Sequence, residues 1–177
     1  MRIARLPMPT RRSLLAPLAC GLLLPRVAAG QPIAGLLADR VEVRKRERVM
    51  ELWNGELLLH RFRVALGRRP EGHKVREGDG RTPEGRYELT EFLPKSYYYR
   101  AIRISYPNEE DRRRARALGV RPGGDILVHG LDPAIARQFR ADHWLFNWTQ
   151  GCIAVTDEEM DTIWASVAPG TPIEIKP

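Results

Sequence analysis

Along most of the chain, apolar residues alternate with polar ones in short runs, a period of two that belongs to strands buried on one face. Asp39 to Gly67 reads as a β-hairpin. Val41, Val43 and Val49-Met50-Glu51-Leu52-Trp53 supply its outgoing side, Asn54-Gly55 the turn, and Glu56 to Leu66 the return. His60 stands among charged neighbours in that return and is expected to face solvent. Arg86 to Thr90 and Ala101 to Tyr106 are short alternating strands, with Tyr97-Tyr98-Tyr99 between them either as an aromatic subsite or as loop packing. Asp125 to Leu131 and Thr171 to Ile175 complete the strands.

Where the period lengthens, caps mark helices. Asn108 is a good N-cap, Glu109-Glu110-Asp111 fill a first turn, and Gly119 closes it. The arginines between Arg112 and Arg116 read as a solvated face of this helix. Asp132-Pro133 opens a short helix to about Ala141. From Asp157 to Val167 the pattern is amphipathic, with Met160, Ile163, Trp164 and Val167 on one face as core. Asp142 to Thr149 is aromatic-rich, with Trp144, Phe146 and Trp148. Gly67 to Gly85 is dense in Gly and Pro and nearly free of apolar residues, so it reads as a long surface loop walling a cleft. The sum is a mainly β domain with two or three short helices.

Charge changes the picture only at one end. The 177 residues carry a formal net charge of +7, which invites a nucleic-acid or membrane partner. Residues 1–29 hold Arg2, Arg5, Arg11, Arg12 and Arg26 and no acidic residue, and the remainder is left with 24 basic and 22 acidic side chains. The excess therefore belongs to the N-terminus, and the case for nucleic acid falls away. Arg11-Arg12 precede the apolar run Leu14 to Leu24, and Val27-Ala28-Ala29 offers small residues for cleavage. Residues 1–29 thus read as an export signal, either twin-arginine or ordinary secretory. Residues 30–38 read as a linker and 39–177 as the working domain, with no stable membrane anchor after cleavage. If Cys20 leaves with the signal, Cys152 is the one cysteine of the mature chain. In an oxidising compartment an unpaired thiol points to function.

A thiol needs a base, because free cysteine is only a few per cent thiolate at neutral pH. His129, at the end of Ile126-Leu127-Val128, is the preferred base for Cys152, and His143 is its rival. His73 carries no specific signal. Gly151 before the thiol permits close backbone approach, and the amides around it are candidates for an oxyanion hole. No acidic residue is obviously placed to fix the tautomer of His129, which leaves a backbone carbonyl near Gly130. One cysteine with scattered histidines has no zinc spacing. Gly78-Asp79-Gly80 lacks the Gly-Lys-Ser/Thr of a phosphate loop. No cofactor is expected.

His129-Gly130 followed by Thr149-Gln150-Gly151-Cys152-Ile153 resembles the H-G … [S/T]-x-G-C signature of the L,D-transpeptidase catalytic domain (YkuD type). Lys74 to Tyr87 is similar to that family's G-D-x-x-T-P-x-G-x-[FY] segment. The resemblance runs from about Asp39 to Ile175. It implies an L,D-transpeptidase-like β-sandwich acting on peptidoglycan stem peptides in the periplasm or cell envelope. The cysteine matching Cys152 would attack after the L-centre of a diamino acid and release the terminal D-alanine. The acyl group would pass to a stem-peptide amine, a lipoprotein or water. His129 matches the base, Gly130 the position that orients it, and Thr149 the motif's hydroxyl residue. Asp79, Thr82, Tyr87, Trp148 and Gln150 become substrate-cleft candidates. Gln150 and Ala154 depart from the histidine and arginine common at their positions, which bears on acceptor and specificity. The alternatives are a carboxypeptidase or endopeptidase using the same thioester, and a non-catalytic wall-binding module.

Overall fold

The computed structural model describes residues 35–177, so residues 1–29, read as an export signal, and the start of the expected linker lie outside the described residues. The strands are β1 (Arg40–Arg44), β2 (Val49–Asn54), β3 (Leu57–Arg63), β4 (Gly85–Ser96), β5 (Tyr99–Ile104), β6 (Leu127–His129), β7 (Ile153–Ala154) and β8 (Pro172–Lys176). They form one sheet in the order β3-β2-β1-β8-β4-β5-β6-β7. The sheet curls because β4 serves both halves, pairing through Gly85–Glu88 with β8 and through Leu89–Ser96 with β5. Just past β3, Ala65 and Ala154 exchange two backbone hydrogen bonds of 2.9 Å, so the two edges of the sheet meet. This is how the chain realises the expected sandwich.

Alternation decides which face is buried. Val41 and Val43 of β1, Ile173 and Ile175 of β8, Ile102 and Ile104 of β5, Val128 and Ile153 all join one core. Each such side chain contributes roughly 1.5–3 kcal/mol by leaving water. Helix α3 (Asp157–Ser166) lays Met160, Ile163 and, just past its end, Val167 on that core, while Trp164 packs at its margin against Phe92. Its N-terminus is a capping box: Thr156 Oγ1 accepts from Glu159 N–H, and Glu159 Oε2 from Thr156 N–H. Helix α1 (Glu109–Ala117) has the same device in Asn108 and Asp111, and its arginines are exposed, with Arg113, Arg114 and Arg116 paired with Glu109 and Glu110. Helix α2 (Pro133–Phe139) starts from the Asp132 cap.

Three details differ from expectation. The hairpin turn sits on Gly55-Glu56 rather than Asn54-Gly55, since Asn54 still pairs with Leu57 and Gly55 supplies the positive φ. His60 is half-buried, stacked on Phe62 at 5.8 Å. Arg140–Leu145 forms a 3₁₀ helix that joins α2 to the aromatic segment.

The long loop also departs from a purely surface reading, because its polar groups bind its own backbone. Asp79 accepts from the amides of Val75, Arg76 and Arg81 and from Lys74 Nζ. Lys45 Nζ, reaching in from the β1–β2 turn, donates to Gly72 O, Thr82 O and Glu84 Oε1. His73 Nδ1 accepts from Glu84 N–H, and its Nε2 lies 2.9 Å from Asp111 on α1. Buried charges are tolerated here because each is paired and hydrogen-bonded.

Candidate active site

Strands β6 and β7 run parallel, with Val128 opposite Ile153 and His129 opposite Ala154. Val128 and Ile153 face the core, so period two turns His129 and the residue just before β7, Cys152, to the other face. The two are offset by one strand, about 4.8 Å, and two residues, about 6.6 Å, which places them diagonally within side-chain reach. Tyr98 corroborates the placement. Its ring stacks on His129 at 4.3 Å, and burial first, then the charges of Cys152, Asp132 and Tyr97, push its hydroxyl pKa up.

His129 is fixed on both sides. Its Nδ1 lies 2.6 Å from Gly130 O, so Nδ1 carries the proton and Nε2 is left as the acceptor. Its own carbonyl accepts from Val155 N–H at 3.0 Å. Tyr98 and Trp148 cover the ring, with Trp148 edge-on at 5.7 Å. The imidazole is 1 % exposed, and this burial lowers its pKa to about 4. The thiol is pushed the other way. Burial raises its pKa, partly opposed by the facing Leu127 amide. Its Sγ lies 3.5 Å from Asp125 O, a weak S–H donor contact. At neutral pH both groups are therefore neutral, a thiol and an imidazole on one face of the paired strands.

The turn before the thiol is wedged by backbone. Thr149 Oγ1 donates to Cys152 O at 2.7 Å and accepts from Gly151 N–H at 3.1 Å. Gly151 has φ +134, and a Cβ there would lie 2.6 Å from Arg81 O. The long loop thus packs directly against the residue preceding the nucleophile candidate, and only glycine fits. Arg68 N–H to Thr149 O and Thr149 N–H to Leu66 O tie the loop's first residues to the same turn. The amides of Gly151 and Gly130 are committed to Thr149 Oγ1 and Arg100 O, so both act in shaping the site rather than as free donors.

The structure brings together Cys152, His129, Gly130, Thr149, Gly151 and Trp148, with Gln150 exposed beside them. Asp79, Thr82 and Tyr87 sit inside the wall. Asp79 organises its loop, Thr82 Oγ1 accepts from Gly67 N–H, and Tyr87 donates to Asp111. His143 is buried with Nδ1 unpartnered, and burial lowers its pKa to about 4 as well. Sequence reasoning left Tyr98 open within its tyrosine triplet and missed two groups. These are the Asp125 carbonyl, a backbone atom with no sequence signal, and Asp157, whose Oδ1 accepts from Leu131 N–H at 2.9 Å.

The model of the L,D-transpeptidase catalytic domain, YkuD, matches residues 38–175. The chain belongs to this family. A relative, the putative L,D-transpeptidase YafK of Escherichia coli K12, is 31% identical over 133 residues, covering 72% of this chain and 46% of its own. Two solved structures share the fold. The helical cell shape determining protein Pgp2 of Campylobacter jejuni has TM-score 0.58 and 24% identity, covering 76% of this chain and 46% of Pgp2. Bd1075 of Bdellovibrio bacteriovorus has TM-score 0.55 and 23% identity, covering 77% and 46%. This L,D-transpeptidase-family chain therefore spans about half the length of the relatives it matches.

Proposed function

We propose that this domain is an exported cysteine acyltransferase of peptidoglycan stem peptides, with Cys152 as nucleophile and His129 as base. The observation that carries the proposal is the shared face of β6 and β7, where the thiol and an Nδ1-anchored imidazole lie diagonally adjacent. The thiol proton moves to His129 Nε2 as sulfur bonds to the scissile carbonyl carbon. The imidazolium then returns that proton to the amine of the departing D-residue as the C–N bond breaks, leaving a thioester. An incoming amine attacks the thioester, gives its proton to His129, and frees the thiol. Water can do the same, and the product then is a trimmed stem.

Cys152→Ala should abolish both the covalent adduct with a carbapenem and turnover of disaccharide-tetrapeptide. Mass spectrometry of the wild-type products then separates cross-linked dimers, expected for transfer, from trimmed monomers. Survival of turnover in the variant would end the proposal.

A further inference from the structure

His129 Nδ1 rests on Gly130 O, and the other end of that same peptide group, Leu131 N–H, donates to Asp157 Oδ1 at 2.9 Å. One planar peptide therefore stands between an imidazole and a carboxylate, each hydrogen-bonded to one of its ends. We propose that Asp157 is the positioning residue of the Cys152–His129 pair, acting through the Gly130–Leu131 peptide as the carboxylate of a triad would act directly. This rests on the reading of His129 as the base.

Two observations support it. A carboxylate accepting from a peptide N–H draws the peptide dipole into line, so the carbonyl at its other end becomes a stronger acceptor for Nδ1–H. Resonance makes the two ends one rigid unit, so fixing the N–H fixes the carbonyl. Gly130 also makes room for this carboxylate: a Cβ there would lie 2.5 Å from Asp157 Oδ1 and 2.8 Å from Tyr98 O. The glycine of the His-Gly pair is thus explained by contact, since its φ is not in the left-handed region.

The aspartate has a second role as the first residue of α3, where a negative charge suits the helix N-terminus. The test must separate the two. Other groups that bear on the ring are Asp132, His143, Tyr98 and Trp148, and none touches the Gly130–Leu131 peptide through a side-chain hydrogen bond.

The experiment is nitrogen NMR of the His129 ring at pH 7, read beside the rate of Cys152 alkylation by iodoacetamide and its acylation by a carbapenem. Wild type should show the Nδ1–H tautomer. Asp157→Asn keeps an oxygen acceptor without the charge and should slow acylation about tenfold with the tautomer retained. Asp157→Ala should admit the Nε2–H tautomer, which cannot take the thiol proton, and slow both reactions by about a hundredfold, the upper end of what losing the orienting partner of a metal-bound histidine costs. Glu158→Gln, an exposed neighbour, should change neither. If Asp157→Ala lowers thermal stability but leaves the tautomer and the rates per folded molecule unchanged, the role is helix capping and the proposal is overturned. Failure of the base assignment would look different: His129→Ala would then leave acylation intact, while the tautomer of His129 would still respond to Asp157.

Discussion

Two walls flank Cys152 and His129, and they are built on opposite principles. The long loop buries Lys74, Asp79 and Thr82 together with Lys45 from the β1–β2 turn, and each has its polar atoms engaged by the protein itself. The aromatic side is the β4–β5 tip and the segment from α2 to Trp148. It keeps Tyr97, Phe139, Leu145 and Phe146 exposed while Tyr98 and Trp148 cover the imidazole. A wall with no free hydrogen-bonding capacity inside holds shape, and here it braces Gly151. A wall with uncommitted apolar surface is available to a ligand. The loop is thus the scaffold and the aromatic side the variable partner.

The largest expected effect comes from breaking the scaffold. Asp79→Leu leaves the Lys74 ammonium buried and three loop amides without an acceptor. It should cost about 3–5 kcal/mol in urea unfolding, the usual penalty for removing one partner of a buried pair. An exposed change on the same loop, Arg69→Ser, should stay within about 0.5 kcal/mol. Similar costs for the two would erase the distinction between the walls.

Next is pH. His129 and His143 take up protons near 6.5 when unfolded and only at about 4 when folded. The unfolded state then binds more protons between these values, so stability falls as pH drops from about 6.5 to 4 and levels below. His143→Leu removes one such group, and the loss between pH 7 and pH 4 should shrink by roughly 3 kcal/mol. An unchanged loss would mean that His143 is not held neutral by its aromatic segment.

The sequence and the structure agree where local physics decides. Val41, Val43, Ile173 and Ile175 alternate because one sheet face is buried, and Asn108 starts a helix because free amides need acceptors. His129 and Cys152 were legible because a strand end before glycine and a thiol after glycine are chemical signals in themselves. Asp79 and Thr82 were read as cleft residues because motif residues in a loop suggest ligand contact. Thr82 is held inside by Lys45 and Gly67, 37 and 15 residues away, while Asp79 turns inward onto Lys74 and the amides of its own loop. The stack of Tyr98 on His129 depends on the β5–β6 pairing, which places Ala101 opposite His129, and no spacing along the chain encodes it.

That stack gives a smaller effect. Tyr98→Ala should cost about 1 kcal/mol of stability, the usual worth of an aromatic pair. It should also raise the His129 pKa from about 4 toward the ordinary 6.5, because desolvation is what lowers it. The acid limb of Cys152 alkylation should move up in pH accordingly. No movement would assign the burial of His129 to the scaffold side instead.

The smallest effect on the fold tests the aromatic wall most directly. Phe146 is 48 % exposed, its ring 5.1 Å from Phe139, and two residues before Trp148. Phe146→Ser removes surface that packs little against the core, so stability should change by less than about 0.5 kcal/mol. If the apolar side receives the stem peptide or its acceptor, KM for disaccharide-tetrapeptide should rise several-fold with kcat nearly kept, because contacts made equally in ground and transition states act on binding alone. Arg69→Ser, on the opposite wall, should leave KM where it was. Equal and negligible shifts from both would mean that substrate touches neither wall at these heights and is held by the groups beside Cys152, with Gln150 the next position to change.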